Sequence, residues 1–166
     1  MAVSSMSGSY AVLVDARGRL SFPAPLRSAI GDTLYISPDE KFREALVVRD
    51  EAGYVACCDR IREEGEKRGD HYLDIDDDVL NFCANTATVV PDKNGRITLP
   101  ANLMKYAKIT SGKAIVIGRV THAEIWDAEG FENYMKDYNE RREARVQAMR
   151  EDRDGSLRRP RSQPQD

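Results

Sequence analysis

The phrase Asp-x-x-Gly-Arg-(Leu/Ile)-(Ser/Thr)-(Phe/Leu)-Pro-Ala-x-Leu occurs twice in this chain, at residues 15–26 and again at 92–103. Six positions are identical at one fixed offset: Asp15/Asp92, Gly18/Gly95, Arg19/Arg96, Pro23/Pro100, Ala24/Ala101 and Leu26/Leu103. A unit this small cannot bury its own apolar face, so a duplicated unit points to an internal pseudo-dimer. The duplication also places two arginines, Arg19 and Arg96, in equivalent sites.

Each copy reads as β structure around a tight turn. In the first, the apolar, β-branched run 10–14 predicts a strand. Asp15-Ala16-Arg17-Gly18 then suits a type I turn, with Asp first and Gly last, where a positive φ is accepted. Arg19-Leu20-Ser21-Phe22 alternates, so Leu20 and Phe22 face inward while Arg19 and Ser21 face out. Pro23 ends the strand, having no N–H for the ladder. Residues 24–30 predict a short helix closed by Gly31, and 33–37 and 45–48 two further strands. The second copy repeats this plan: a strand at 88–90, the turn Asp92-Lys93-Asn94-Gly95, a strand at 96–99, a helix at 101–107, and strands at 114–118 and 123–126.

A helix with an acidic cap follows each copy. Asp50 precedes Tyr54, Val55, Cys57, Cys58 and Ile61; Asp127 precedes Phe131, Tyr134, Met135 and Tyr138, an i, i+3, i+4, i+7 stripe. Between the copies, 62–71 reads as a charged connector and 74–85 as a helix with acids at its N-terminal end. The final helix is expected to reach about Glu151, and the Pro-, Gln- and Arg-containing stretch from Asp154 to be disordered. Trp126 alternates inward and is expected to cap the core where the last strand meets the last helix.

Charge decides which face matters. The net charge of −3 disfavours a nucleic-acid partner at first sight, but its distribution reverses that impression. Residues 1–36 carry +1, 37–87 carry −7, 88–119 carry +5, 120–138 carry −4 and 139–166 carry +2. Positive charge thus gathers in the repeated units, chiefly the second, and acid between them. Arg17 and Lys93 stand at the turn tips and Arg19 and Arg96 at their bases. An Asp–Arg pair alone could serve merely to brace each hairpin. A turn closed by one Asp does not need two cations, however, and the surplus suits phosphates or base edges, where Arg is a planar, bidentate donor.

Other chemistries find little support. Cys57, Cys58 and Cys83 fit neither a disulfide framework nor a metal knuckle and read as small apolar residues on helix faces. His71 and His122 lack metal-ligand spacing with a cysteine. The Asp74/Asp76/Asp77/Asp78 cluster lacks the pattern of an EF-hand loop. No Walker loop, dinucleotide fingerprint or nucleophile elbow appears, so the reading is of a non-enzyme with no metal, no cofactor and no small-molecule substrate. The polar start at 1–9 holds no signal sequence and no stretch is long and apolar enough to span a bilayer, which predicts a cytoplasmic protein with no membrane partner.

The doubled Asp-x-x-x-Arg phrase, Met104-Lys105-Tyr106-Ala107, Ile115-Val116-Ile117-Gly118 and the late Glu124-Ile125-Trp126 together resemble the MraZ family, over roughly residues 10–138. The resemblance implies an α+β fold of two tandem, pseudo-two-fold, swapped-hairpin β-barrel units of the AbrB type. It implies a sequence-specific repressor that binds direct repeats in promoter DNA, upstream of the division and cell-wall gene cluster. It further implies a ring-shaped homo-oligomer, an octamer or a dodecamer. Arg19 and Arg96 occupy the family's expected DNA-contact positions, with Asp15 and Asp92 beside them and Gly18 and Gly95 shaping the turns; Arg17 and Lys93 are added on charge and geometry. The family usually has Leu-Arg after the second Pro-Ala, where this chain has Leu103-Met104. Only the first copy keeps that arginine, Arg27, which is expected to compensate the first hairpin for its weaker surroundings.

The expected organisation is a disordered start at 1–9, a first repeat with its helix at 10–61, a linker and helix at 62–87, a second repeat at 88–138, and a polar helical extension and tail at 139–166. The competing reading is an AbrB-like antitoxin or protein-interaction scaffold. Antitoxins of that kind usually carry a single β unit and a disordered toxin-wrapping tail, which this chain does not resemble. A hydrolase built on the aspartate cluster is remote.

Overall fold

Both copies lay down their elements in one order, and the expected strands all form, within a residue or two of their expected ends. The computed structural model describes residues 5–41 and 43–157. The first copy comprises β1 (Ser9–Leu13), β2 (Arg19–Ser21), α1 (Ala24–Ile30), β3 (Leu34–Pro38) and β4 (Ala45–Arg49). Helices α2 (Glu51–Arg68) and α3 (Tyr72–Ala84) join it to β5 (Ala87–Val89), β6 (Arg96–Thr98), α4 (Ala101–Tyr106), β7 (Lys113–Arg119) and β8 (His122–Asp127). Helix α5 (Ala128–Leu157) ends the described chain. The result is a mixed α+β fold.

The pairing crosses between copies. One six-stranded sheet runs β1-β7-β8-β4-β3-β5, and a separate two-stranded ribbon pairs β2 with β6. Strand β1 of the first copy lies antiparallel to β7 of the second, Tyr10 opposite Val116. Strand β5 of the second lies antiparallel to β3 of the first, Tyr35 opposite Thr88. The ribbon is made of one strand from each copy, Leu20 opposite Ile97. Backbone bonds extend the crossing beyond the ribbon: Phe22 N–H donates to Gly95 O at 2.9 Å and Leu99 N–H to Gly18 O at 2.8 Å.

The core is shared in the same way. Leu20, Phe22, Leu26 and Ile30 pack in one cluster with their offset equivalents Ile97, Leu99, Leu103 and Ala107, all below a tenth exposed. Fully burying a side chain of this size contributes about 1.5–3 kcal/mol. Neither copy could keep that contribution alone, because each supplies only half of the cluster. Met6 joins the same cluster and bridges Val120, its N–H donating to Val120 O at 2.8 Å. The expectation of disorder at 1–9 therefore fails at Met6, which gains both burial and a strand-like partner; residues 1–4 lie outside the described residues.

The last strand corrects the reading of Trp126. It is 3% exposed, as expected of a core residue, but the main cluster lies on the other face of the sheet, with Ala123 and Ile125. Trp126 shares its face with buried Glu124, whose Oε1 accepts its indole N–H at 3.1 Å. Strand β8 is covered on both faces, so alternation alone could not say which face held the core.

Two helices differ from expectation. Residues 62–68 were expected in a connector, yet α2 runs through them to Arg68 and stops at Gly69. Gly65 does not break the helix; it permits close approach, since a Cβ there would stand 2.7 Å from Ile75 Cγ1 on α3. Helix α3 starts two residues before Asp74, with the His71 Nδ1 accepting the Leu73 N–H at 3.3 Å as its cap. Asp50 caps α2 as expected, accepting the Gly53 N–H at 2.7 Å, and Asp127 Oδ2 accepts the Gly130 N–H at 3.2 Å at the start of α5.

Through Gly130 the chain forms one compact unit; from Phe131 onward it forms a second. That second unit is the body of α5, which continues past the expected end near Glu151 and through Asp154 to Leu157. Bonds such as Gln147 Nε2–H to Glu151 Oε1, at 2.9 Å, brace its exposed surface at i, i+4 spacing. The rest of the tail expected to be disordered, 158–166, lies outside the described residues.

Candidate nucleic-acid interface

The ribbon of β2 and β6 brings the predicted cations together. Its inner face is Leu20 and Ile97, each 2% exposed. Arg19 stands opposite Thr98 and Ser21 opposite Arg96, so both arginines and both hydroxyls occupy its exposed outer face. Diagonal neighbours on such a ladder lie about 7–8 Å apart at the backbone, within joint reach of two long side chains. The two turns continue this surface at opposite ends, carrying exposed Arg17 and Lys93. Ser21 and Thr98 are functional candidates that sequence reasoning did not single out. Their signal was present in the alternation, but only the pairing sets them between the arginines.

The turns are built alike. The Gly18 N–H donates to Asp15 O at 3.0 Å, and the Gly95 N–H to Asp92 O at 2.9 Å. Asp15 Oδ1 accepts the backbone N–H groups of Arg17 (2.9 Å) and Arg19 (3.0 Å). Asp92 Oδ1 accepts those of Asn94 (2.8 Å) and Arg96 (2.9 Å). Gly18 and Gly95 adopt φ of +81° and +76°, which side chains rarely tolerate. These bonds hold both carboxyls below the ordinary carboxylate range. For Asp15 the Arg19 N–H acts most, then the Arg19 guanidinium; for Asp92 the Arg96 N–H leads, and the charges of Arg96 and Arg27 add to it.

The hairpins differ in what their bases do. In the first, Arg19 Nε donates to Asp15 Oδ2 at 2.6 Å, so the cation is engaged although 55% exposed. An exposed pair of this kind is screened by water and contributes little, which leaves Arg19 readily recruited by another anion. In the second, Asp92 is satisfied by backbone alone, and the Arg96 side chain makes no ion pair among the described residues.

Arg27 lies elsewhere than expected. Its guanidinium covers Gly95 so closely that a Cβ on that glycine would overlap Nη1. Arg27 therefore belongs to the second hairpin, and cannot compensate the first. Its equivalent Met104 reciprocates: a Cβ on Gly18 would stand 2.7 Å from Met104 Sδ and 2.5 Å from Leu99 O. The crossing of the copies carries each α-helical side chain onto the other copy's turn. The second hairpin thus gathers Lys93, Arg96 and Arg27 around one backbone-satisfied Asp92, while the first has Arg17, an Arg19 paired to Asp15, and a thioether.

No group of three or more metal-ligating side chains stands together among the described residues. No helix among them is long and apolar enough to cross a membrane.

Known proteins resemble this chain over most of its length. Residues 82–153 match the family model described as "MraZ protein, putative antitoxin-like". The chain is 31% identical over 133 residues to the transcriptional regulator MraZ of Bifidobacterium longum, covering 80% of this chain and 84% of that one. It is 31% identical over 133 residues to those of Mycobacterium avium and Mycobacterium tuberculosis, covering 88% of each. With identity of this extent over four fifths of its length, the chain belongs to the MraZ family.

Proposed function

We propose that this chain is a sequence-specific, DNA-binding transcriptional regulator with no chemistry of its own. The observation that carries the reading is the ribbon on which Arg19 and Arg96, one from each copy, share a single exposed face with Ser21 and Thr98. Cations on a rigid β platform, flanked by hydroxyls, match phosphate positioning and base-edge contact by arginine. The name of the relatives, transcriptional regulator, supports the same reading. Arg17 and Lys93 at the tips, and Arg27 over the second turn, extend the contact; Asp15, Asp92, Gly18 and Gly95 shape it.

Finer features belong to the same proposal. The crossed pairings support a swapped-hairpin barrel of the AbrB type, made from repeats at 10–61 and 88–138 with 62–87 between them. The regulator acts as a repressor on direct repeats upstream of the division and cell-wall genes, in the cytoplasm at the nucleoid. It acts as a ring-shaped homo-oligomer, because a few phosphate contacts per subunit bind weakly and a multivalent ring gains by avidity. The antitoxin or scaffold reading is weaker, since antitoxins of that kind usually carry a single β unit and the relatives are named transcriptional regulators.

The test is binding of the protein to the DNA upstream of its own gene, by footprinting and titration, with Arg19→Ala, Arg96→Ala and the double variant. Binding is expected to fall in each single variant and vanish in the double, with circular dichroism and oligomer mass unchanged. Persistent binding by the double variant overturns the reading. Unfolding of the variants would instead assign these arginines to bracing the hairpin.

A further inference from the structure

The three thiols are not alike. Cys57 and Cys58 are neighbours on α2, and a helix turns successive side chains apart by about 100°. Cys57 is 1% exposed and its Sγ donates to Glu40 Oε1 at 2.9 Å, towards the sheet. Cys58 faces α3, where its Sγ lies 3.9 Å from Cys83 Sγ. The phenol of Tyr54, one turn before Cys58, donates to the same Cys83 Sγ at 3.0 Å. Tyr54 is itself held between Tyr35 and Phe82, ring centroids 4.9 and 5.8 Å away. The pair thus sits in a small apolar cluster of its own, with Val79 and Phe82 beneath it and Cys83 the more accessible member.

We propose that Cys58 and Cys83 form a reversible dithiol–disulfide site that clamps α2 to α3. The sulfurs need to close by about 2 Å to reach bonding distance, a movement within reach of side-chain rotation and a small helix shift. The oxidant is a peroxide. The Cys83 thiolate attacks one peroxide oxygen, breaking the O–O bond, to give a sulfenic acid and, after proton transfer, one water from hydrogen peroxide. The Cys58 sulfur then attacks the Cys83 sulfur, forming the S–S bond and expelling hydroxide, which takes the Cys58 proton and leaves as a second water. Two thiols lose two electrons and two protons, and one peroxide is reduced to two waters. Burial pushes the Cys58 thiol up from its ordinary pKa, with the hydrogen bond to Cys83 adding to it, so Cys58 stays protonated and is not the sulfur that meets the peroxide; its nearness to Cys83 is what gives it the second step. Cys57, raised to about 12 chiefly by burial and then by its bond to Glu40, stays out of the exchange. The Tyr54 O–H donates to the Cys83 sulfur and fixes it beside Cys58.

The experiment treats the reduced full-length protein with hydrogen peroxide and maps disulfides by mass spectrometry without reductant. The expected product has lost two hydrogens and links Cys58 to Cys83 within one chain, in the wild type and in Cys57→Ser alike. Cys58→Ser should leave Cys83 as a sulfenic acid trapped by dimedone, and dithiothreitol should restore the wild type. The midpoint of thermal unfolding should rise on oxidation in Cys57→Ser, and Tyr54→Phe should slow the reaction without changing the linkage. Should a cysteine variant fail to fold, trapping and mapping on the wild type decide alone. A Cys57–Cys58 or inter-chain linkage as the main product, or no linkage, overturns the proposal. DNA binding plays no part in these readouts.

Discussion

Glu124 is the residue on which the sheet's second face depends. Its side chain is 1% exposed, accepts from Arg119 Nη1 at 2.6 Å and from the Trp126 indole, and lies 3.1 Å from Arg43 Nη2. Burial alone would raise its pKa. His122, 3.8 Å away, the hydrogen bond from Arg119 and the charge of Arg43 outweigh that and bring it from an ordinary 4.5 to about 2. A carboxyl depressed on folding contributes stability that is fully present above its unfolded pKa and lost as pH falls towards its folded one. Lowering the pH from 5 to 2 should therefore remove about 3 kcal/mol attributable to this group. Urea titrations of the wild type and Glu124→Gln across that range check it: the gap between them should shrink as the pH falls. A constant gap would mean the carboxylate charge contributes nothing. Sequence showed an acid on a strand; that it was buried could not be read, because Arg43, which offsets its burial, lies far away in the chain.

At the scale of elements, the α2–α3 hairpin was legible in its caps and only partly in its extent. Asp50 announces α2, but the charged, Gly-containing stretch after Ile61 resembles a linker. Gly65 reads as a weak point unless Ile75 is known to stand against it. Replacing Gly65 by Ala gains about 1 kcal/mol of helix propensity, and the added methyl meets a stiff, β-branched side chain across the interface. Overpacking of this kind costs about 1–3 kcal/mol, so the single variant should be less stable than wild type. In an Ile75→Ala background the sign should reverse, because only the propensity gain remains. Equal effects in both backgrounds, measured as a double-mutant cycle by chemical denaturation, would rule out close packing as the reason for the glycine.

For the molecule as a whole, the consequence of crossing is that two like hairpins become unlike surfaces. Arg27 adds charge to the turn of the second copy, and Met104 adds none to that of the first. If the ribbon binds DNA as proposed, Met104→Arg sets a guanidinium over Gly18 and makes the first hairpin resemble the second. Affinity for the upstream DNA should rise, and the slope of log K against log salt should steepen by about 0.9 for one new phosphate contact. Arg27→Ala should do the reverse by a similar amount. An unchanged slope in both variants would place this pair outside the DNA contact, without touching the role of Arg19 and Arg96.

The amino-acid sequence by itself determined the duplicated unit, the turn chemistry of Asp15 and Asp92, the strand alternation that turns Arg19 and Arg96 outward, the caps of α2 and α5, and the family. These follow from local rules, in which a residue and its near neighbours suffice. Only the tertiary structure decided which copy each strand pairs with, that Trp126 and Glu124 lie on the sheet's second face, that Cys58 meets Cys83, and that Arg27 serves the opposite hairpin. Each of those depends on contact between residues far apart in the chain. A repeat makes that choice invisible in sequence, because pairing within a copy and pairing between copies present the same residues to the same partners.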